Sequence, residues 1–277
     1  MSARPRRCGV LGKPVAHSLS PALHRAAYAE LGLDWEYDAV EVGADDLAPF
    51  IAGLGPEWRG LSLTMPLKRT VLPLLDSGDH WATLSGAANT VVLDGAGGRH
   101  GANTDVPGAV AALRERTSTP LRSAVVVGGG ATAASVLLAL AELGLERATL
   151  LVREPARAEP TLASVARHPA APRVAVERLG GPVPEADIAV STVPADAQEP
   201  GLVSALAAAS VVFEVLYDPW PTPLAAAALS AGTTLVSGLD LLVHQAALQV
   251  ELMTGLRAPL ERMRSSGEAT LIARARP

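Results

Sequence analysis

The 277-residue sequence is poor in cysteine, in aromatic side chains and in long apolar runs. Its single cysteine, Cys8, excludes an internal disulfide framework and any cysteine-rich metal site. No stretch reaches the roughly 18 uncharged apolar residues that a membrane-spanning helix needs. A net charge of −5 argues against a broad nucleic-acid-binding surface. We therefore predict a protein that binds neither nucleic acid nor membrane.

The chain is long enough for two hydrophobic cores, because single domains commonly contain about 100 to 200 residues. Hydrophobic residues make up 49% of it and charged residues 18%, as in compact folded proteins. The basic residues near the N-terminus (residues 2–7) are not followed by the apolar core of a signal sequence. Together with the near absence of cysteine, this predicts a location in the reducing cytoplasm.

Strand-like and helix-like segments alternate along the chain, which is typical of an α/β fold. The alternation pauses at residues 117–120, and a new strand-like run then begins at residue 123. We predict one α/β domain over residues 1–105, joined by C-terminal helices within 238–277, and a second over residues 106–237. The second domain is expected to be of the Rossmann type, with a parallel sheet.

A glycine-rich turn of the form G-x-G-x-x-A supports that expectation. It follows an apolar strand-like run, opens a long helix-like segment, and consists of Gly128, Gly129, Gly130, Ala131, Thr132 and Ala133. The glycines permit a tight turn and the close approach of a pyrophosphate, and the helix N-terminus supplies free N–H groups. The pattern predicts dinucleotide binding; the alternative is merely a tight strand-to-helix turn.

The end of the next strand-like run distinguishes NADP from NAD. An acidic residue there would bind the ribose hydroxyls of NAD, but Val152 is followed by Arg153 and, one helical turn later, by Arg157. Guanidinium groups suit a 2′-phosphate. Glu154 argues in the other direction, although it could pair with Arg157. We therefore favour NADP.

Two ionisable residues stand where a strand-like run passes into a helix-like one: Lys68, and Asp105 about 40 residues later. If folding brings them together, an ammonium next to a carboxylate is suited to proton transfer onto a bound oxygen. This is our catalytic hypothesis. The simpler interpretations are that Asp105 only caps a helix and that Lys68 is a solvated surface residue.

Further polar residues are candidates for binding. Ser20, just before a proline, has the pattern of a helix N-cap, and with Ser18 it could also hold a small carboxylate. Asn89 begins a strand-like run, where a loop cap is the default interpretation. Gln245 has leucines at its helical neighbours, so its amide needs a partner, either a polyhydroxylated ligand or a buried backbone group. His17 and His24 are seven residues apart and have no cysteine partner, so they give little support to a metal site.

Together these segments resemble the shikimate dehydrogenase family. The resemblance covers residues 9–255, nearly the whole chain, through an ordered series of motifs. They are Gly12–Pro21, Ser62–Lys68, Gly86–Thr90, Gly101–Gly108, the glycine-rich turn, Tyr217–Leu224 and Gly238–Gln245. The resemblance implies a mixed sheet in the first domain and a reversible reduction of 3-dehydroshikimate to shikimate by NADPH. It also implies a cytoplasmic monomer or homodimer.

The resemblance also implies roles for individual residues. Lys68 and Asp105 would be the catalytic pair, with Lys68 delivering the proton and Asp105 orienting it. Substrate would be bound by Ser18, Ser20, Thr64, Lys68, Asn89, Asp105, Gln245 and Tyr217. The cofactor would be bound by Gly128, Gly129, Gly130, Ala131, Thr132, Ala133, Arg153, Arg157, Ser191, Thr192 and Gly238.

The chain departs from the family pattern at a few positions. Ser62 stands where the family usually has Asn, so we expect a loop-fixing hydrogen bond to be shorter or lost. Arg153 is retained, but its neighbours Val152 and Glu154 replace Asn and Thr. The alternatives are a quinate or aminoshikimate dehydrogenase of the same fold and a non-catalytic sensor of NADP or shikimate. Ser20 and Arg153 disfavour NAD-dependent quinate oxidation.

Overall fold

In the computed structural model, residues 6–274 are described, and they form two six-stranded sheets. Residues 2–5 of the basic N-terminal segment lie outside this range. The strands are β1 (Arg6–Gly12), β2 (Trp35–Glu41), β3 (Trp58–Leu63), β4 (Ser77–Gly78), β5 (Thr90–Leu93), β6 (Arg99–Ala102), β7 (Ser123–Val127), β8 (Arg147–Val152), β9 (Arg173–Arg178), β10 (Ile188–Ser191), β11 (Val211–Glu214) and β12 (Thr234–Val236).

The helices alternate with these strands through most of the chain. They are α1 (Ser20–Glu30), α2 (Leu47–Ala52), α3 (Leu67–Thr70), α4 (His80–Ser85), α5 (Asp105–Arg116), α6 (Ala131–Glu142), α7 (Glu159–Ala166), α8 (Pro200–Leu206), α9 (Pro223–Ala231), α10 (Gly238–Thr254) and α11 (Leu260–Arg274). Within the described residues, no helix is both long and apolar enough to cross a membrane.

The chain divides into two compact units. Within the described residues, one unit contains residues 6–104 and 242–274, and the other is Asp105–Leu241. The second crossing lies four residues later than residue 237, where the sequence analysis put it. The physical reason is that the first turn of α10 is bound to the second unit: Gly238 lies against the backbone of residues 215 and 216, and Asp240 pairs with Arg116.

The first unit contains a mixed sheet in the order β2-β1-β3-β5-β6-β4. β1 is parallel to both β2 and β3, whereas β5 is antiparallel to β3 and to β6. Residues 8–12 of β1 are buried without alternation, as expected for a central parallel strand covered on both faces. Helix α1 packs against α11, so the C-terminal segment completes the layer beside this sheet.

The second unit contains a parallel sheet in the order β12-β11-β10-β7-β8-β9. Counted from its own first strand, this is the Rossmann order, in which the direction of winding reverses between β7 and β10. Ligands of such sheets bind in the crevice at the carboxyl ends of the strands on either side of that reversal. The predicted fold class, a mixed sheet in one domain and a parallel Rossmann-type sheet in the other, is confirmed.

Candidate active site

Polar loops of the first unit lie at one edge of the mixed sheet, the edge formed by the carboxyl ends of β1 and β3. Because β1 and β3 are parallel neighbours, the loops that follow them leave the same edge. The backbone N–H of Lys13 donates to the carbonyl of Met65 at 2.9 Å, and that of Thr64 donates to Leu11 at 2.9 Å. A side chain at Gly12 would collide with that of Thr64. The glycine therefore allows the two loops to lie directly against each other.

Ser18 and Ser20 lie at the start of α1 on this edge. The prediction that Ser20 is the N-cap is wrong: the cap position is Leu19, and Ser20 is the first helical residue. The reason is that the hydroxyl of Ser18 accepts from the N–H of Ser20 at 3.2 Å, which lets the helix begin one residue earlier. Two hydroxyls at the N-terminus of an 11-residue helix form a donor set suited to a carboxylate.

Lys68 lies in the short helix α3, directly after the loop that contains Thr64. The side chains of Leu67 and Val71, on either side of it, are fully buried and anchor the helix in the core. The carbonyl of Lys68 accepts from the N–H of Ala88 at 2.8 Å, which ties the helix to the segment before β5. The backbone of Lys68 is therefore fixed at the sheet edge, and its half-buried side chain emerges there.

Asn89, Thr104 and Gln245 form a hydrogen-bonded group that we call the amide cluster. The side-chain N–H of Asn89 donates to Thr104 Oγ1 at 2.9 Å and to Gln245 Oε1 at 3.2 Å. The N–H of Thr104 donates back to Asn89 Oδ1 at 2.8 Å. The amide nitrogen of Gln245 donates to the carbonyl of Leu242 at 3.0 Å. Gln245 thus finds protein partners for both amide atoms, including the backbone partner that the sequence left open.

A second set of bonds, which the sequence analysis missed, fixes the segment after β6. The side-chain N–H of Asn103 donates to Ser85 Oγ at 2.8 Å and to the carbonyl of Ala87 at 3.0 Å. Asp79 caps helix α4 by accepting from the N–H of Ala82 at 2.6 Å, and also accepts from the N–H of Asn103 at 3.2 Å. The pattern N-T-D pointed to this segment but did not reveal that Asn103 is its anchor.

Asp105 follows Thr104 directly and is the first residue of α5, where a carboxylate is favourable beside the helix N-terminus. It is 6% exposed. Covalent connection therefore puts Asp105 one residue from the amide cluster, while Lys68 lies on the edge to which that cluster belongs. The pairing of Lys68 with Asp105 itself stays a prediction.

Ser62 is hydrogen-bonded despite replacing the Asn of the family pattern. It accepts from the hydroxyl of Tyr37 at 2.6 Å and donates to Gln249 Oε1 at 2.8 Å. Gln249 also lies 3.3 Å from Nε2 of His24, whose ring is fully buried. Burial lowers the pKa of His24 to about 3, so the ring is neutral near pH 7. The sequence analysis did not identify Gln249.

The glycine-rich turn of the second unit has the geometry that its pattern predicts. Gly128 follows β7 with a φ of +105°, a conformation that favours glycine. Gly130 occupies the N-cap position of α6, and apart from its two neighbours in the chain, no atom of residues 6–274 lies within 4 Å of where its Cβ would be. The N–H groups of Ala131, Thr132 and Ala133 have no acceptors within the helix. An open approach to free N–H groups at a helix N-terminus fits a pyrophosphate.

Neighbouring residues hold this turn in place. Thr161, which is fully buried, donates its hydroxyl to the carbonyl of Gly129 at 2.8 Å. Across the crevice, Thr192 follows Ser191 at the carboxyl end of β10 and donates its hydroxyl to the carbonyl of Val127 at 2.8 Å. Ser191 and Thr192 therefore lie beside the turn, at the reversal point of the parallel sheet.

Tyr217 lies in a loop whose two ends are tied together by a buried carboxyl group, that of Glu214. Gln198 donates to Glu214 Oε2 at 2.6 Å, the hydroxyl of Thr222 donates to the same oxygen at 2.8 Å, and the N–H of Leu216 donates to Oε1 at 3.1 Å. Burial raises the pKa of Glu214 above its usual value, although these hydrogen bonds oppose the shift. The Tyr217 loop is thus fixed at both its start and its end.

The arginines at the end of β8 are exposed. Arg157 forms an ion pair with Glu154 at 2.8 Å, the pairing that the sequence suggested, and its side chain is 82% exposed. Arg153 is also exposed. Both arginines belong to the segment that follows the strand next to the glycine-rich turn, where a 2′-phosphate would be recognised.

Comparison with known proteins agrees with this arrangement. A family model described as the shikimate dehydrogenase substrate binding domain matches residues 10–91, and another, described as the shikimate 5'-dehydrogenase C-terminal domain, matches residues 238–266. The shikimate dehydrogenase (NADP(+)) of Methanopyrus kandleri is 38% identical over 274 residues, which cover 93% of this chain and 93% of the relative.

Solved structures give the same result. The shikimate dehydrogenase of Mycobacterium tuberculosis is 42% identical, with a TM-score of 0.86, and the match covers 96% of this chain and 100% of that one. The shikimate 5-dehydrogenase of Thermus thermophilus, solved with NADP(H) and shikimate, is 31% identical, with a TM-score of 0.83 and coverage of 96% and 100%.

A relative with a different substrate also matches. The quinate dehydrogenase of Corynebacterium glutamicum, solved in complex with NAD, is 30% identical, with a TM-score of 0.85 and coverage of 96% and 99%. Identity is higher for the Methanopyrus kandleri and Mycobacterium tuberculosis relatives, at 38% and 42%, and both are named for shikimate. Nearly full-length similarity at 34–38% identity, together with the two family models, shows that this chain belongs to the shikimate dehydrogenase family.

Proposed function

We propose that this protein is an NADP-dependent oxidoreductase that reversibly reduces 3-dehydroshikimate to shikimate. The observation that carries the proposal is the sheet edge of the first unit, where the Thr64–Lys68 loop, the start of α1 and the amide cluster lie together and lead directly into Asp105. The family members with shikimate in their names support the same substrate.

The polar groups of this edge match the substrate's functional groups. Ser18, Ser20 and the N-terminus of α1 would bind the carboxylate, because hydroxyls and free N–H groups donate to an anion. Thr64, Asn89 and Gln245 would bind the ring oxygens. In this arrangement the substrate carboxylate would contact the start of α1, and its ring oxygens would contact the Thr64 loop and the amide cluster.

Lys68 is the proposed proton donor in the reductive direction. When bound, NADPH supplies the hydride that reduces the C3 carbonyl carbon. Negative charge then develops on the carbonyl oxygen, where the ammonium of Lys68 would stabilise it and deliver a proton to it. Asp105 would orient Lys68 and the neighbouring hydroxyl group. In the oxidative direction, neutral Lys68 would accept the hydroxyl proton.

The second unit supplies a fitting cofactor site. Gly128, Gly129 and Gly130, with the N-terminus of α6, would hold the pyrophosphate, and Ser191, Thr192, Tyr217 and Gly238 would lie near the nicotinamide half. Arg153 and Arg157 favour NADP, because a guanidinium makes strong, charge-assisted hydrogen bonds with a 2′-phosphate. Release of Arg157 from Glu154 would accompany binding.

Quinate or aminoshikimate oxidation is the second candidate, and the matching quinate dehydrogenase keeps it open. Arg153 argues against NAD-dependent quinate oxidation. A non-catalytic sensor of NADP or shikimate is disfavoured because it would need neither Lys68 nor Asp105. A cytoplasmic location and a monomeric or homodimeric state stay predictions.

Absorbance of the reduced nicotinamide, measured with shikimate or quinate paired with NADP or NAD, tests the proposal. We expect NADPH to form mainly from shikimate. Preference for quinate with NAD would replace the substrate and cofactor assignments but leave the proton-transfer hypothesis standing. No turnover in any of the four combinations, combined with binding of NADP, would favour the sensor.

A further inference from the structure

A buried chain of polar side chains leads to the amide cluster, and Gln249 lies at its centre. Gln249 is on α10 and is 1% exposed. Its Oε1 accepts from Ser62 Oγ at 2.8 Å and lies 3.3 Å from His24 Nε2. Its Nε2 donates to the carbonyl of Asn89 at 3.2 Å and to Thr90 Oγ1 at 3.0 Å. Both acceptor positions and both donor hydrogens of this one amide therefore have partners.

The orientation of this amide follows from one backbone atom. A carbonyl oxygen only accepts, so the nitrogen of Gln249 must face the carbonyl of Asn89 and its oxygen must face Ser62. Ser62 must then donate to Gln249, and the hydroxyl of Tyr37 must donate to Ser62, which it approaches at 2.6 Å. By the same reasoning, Nε2 of His24 carries the hydrogen.

The order of donors continues into the amide cluster. Thr90 receives a hydrogen bond from Gln249, so its own hydrogen is directed to Asn89 Oδ1 at 2.9 Å. The N–H of Thr104 donates to the same oxygen at 2.8 Å. With its oxygen held on that side, Asn89 must present its nitrogen to Gln245 Oε1 at 3.2 Å. The donor and the acceptor are thus determined for each hydrogen bond from Tyr37 through Gln249 to Asn89.

The end of this hydrogen-bonded series that lies away from the amide cluster is also fixed. The ring of His24 stacks on that of Tyr37, with centroids 3.9 Å apart. Burial lowers the pKa of His24 to about 3, so its ring does not gain a second N–H near neutral pH. Near neutral pH the ring therefore has one N–H, at Nε2, and it donates that hydrogen to Gln249 Oε1.

We propose that Gln249 is a positioning residue, which fixes the side-chain amide of Asn89, and through it that of Gln245, in the orientation that the ring hydroxyls of the substrate require. The inference rests on the proposed function, because it deepens the role of the amide cluster. In a flipped Asn89 the donor and the acceptor of the side-chain amide would exchange places, so an acceptor would face Gln245 Oε1 and the amide cluster could not keep its hydrogen bonds.

The test uses Gln249→Met, which keeps most of the side-chain volume but removes all four polar contacts. Met253→Leu is the matched control, because Met253 is buried on the same helix and is apolar. Ser62→Ala removes only the hydroxyl that donates to Gln249 Oε1, and it replaces Gln249→Met in the test if that variant does not fold. We expect kcat/KM for shikimate to fall on the order of tenfold in Gln249→Met, with KM for NADP unchanged. Met253→Leu should leave both parameters unchanged.

A double-mutant cycle with Asn89→Ala separates positioning from general damage to α10. If Gln249 acts through Asn89, Gln249→Met should cost little additional kcat/KM in the Asn89→Ala background. Independent, additive losses would overturn the proposal.

A readout without turnover separates this inference from the proposed function. The side-chain NH₂ signals of Asn89 in a ¹⁵N NMR spectrum, identified by their loss in Asn89→Ala, should shift in Gln249→Met and not in Met253→Leu. Unchanged signals would refute the positioning role even in an enzyme that reduces 3-dehydroshikimate. Absence of turnover in the wild-type protein would instead refute the proposed function.

Discussion

Replacing Asp240 by Asn should destabilise the second unit through one buried carboxylate. Asp240 is 2% exposed and accepts from Arg116 Nη2 at 2.6 Å and Nε at 3.2 Å, as well as from the N–H and hydroxyl of Ser237 at 2.9 and 2.8 Å. Four donors surround the carboxylate. Asn offers one oxygen and directs an NH₂ group at a donor, so at least one hydrogen bond is replaced by repulsion.

The magnitude follows from charge and exposure. A hydrogen bond to a charged group contributes about 1.5 to 3 kcal/mol, but the side chain of Arg116 is 45% exposed and solvent weakens its share. We therefore expect a loss of about 2 to 3 kcal/mol, below the roughly 3 to 5 kcal/mol for breaking a fully buried pair, because Arg116 is partly solvated. At roughly 2 to 4 °C for each kcal/mol, the melting temperature should fall by roughly 4 to 12 °C.

The pH dependence provides a second signature of the same group. Burial alone would raise the pKa of Asp240, but the hydrogen bonds from Arg116 and Ser237 outweigh it and hold the pKa below the usual 3.8. A lowered pKa means that the stabilisation is present above about pH 3.8 and is lost as the pH falls through the lowered value. The difference in unfolding free energy between wild type and Asp240→Asn should therefore shrink in acid.

Differential scanning calorimetry from neutral to acidic pH measures both effects. Glu146→Gln is the control, since the ion pair of Glu146 with Arg122 is exposed on both sides and should contribute less than about 1 kcal/mol. Melting of Asp240→Asn within 1 °C of wild type, or a difference that is constant down to acidic pH, would refute the reasoning.

Three further predictions concern function directly. Lys68→Ala should lower kcat by about 10² to 10⁴-fold with little change in KM for shikimate, as for a group used mainly in the transition state; lost affinity with kcat intact would contradict this in steady-state kinetics. Arg153→Ala combined with Arg157→Ala should raise KM for NADP far more than for NAD, and an equal rise would remove the 2′-phosphate assignment. Thr161→Val removes the hydroxyl that holds the carbonyl of Gly129 and should weaken NADP binding about fivefold, near 1 kcal/mol, by isothermal titration calorimetry; unchanged affinity would show that the turn holds its shape without it.

The fold was predictable where local pattern and packing agree. Residues 90–93, 188–191 and 234–236, which form β5, β10 and β12, can be recognised in the sequence because each is a short, mainly apolar run bounded by polar or turn-forming residues. The glycine-rich turn was recognisable because Gly128 needs a positive φ, which few other residues tolerate.

Long-range polar contacts were not predictable in the same way. Ser62 and Gln249 are 187 residues apart, and nothing in either neighbourhood indicates the other. The argument that singled out Gln245, an amide among apolar helical neighbours, applies equally to Gln249 one turn later, so this residue could have been suspected but its partners could not. The prediction of an N-cap at Ser20 was wrong for a different reason: the hydroxyl of Ser18, two residues earlier, accepts from the N–H of Ser20, and Ser20 is already helical.

The discontinuity of the first unit determines the order in which the site is completed during synthesis. The ribosome releases residues up to Thr104 first and the continuous second unit next, but the part of α10 that carries Gln245 and Gln249 emerges only after both. Until then Asn89 lacks its amide partners, although its strand and the loop of Lys68 already exist. A nascent chain that ends before Leu242 can therefore contain the complete glycine-rich turn and still lack a complete amide cluster.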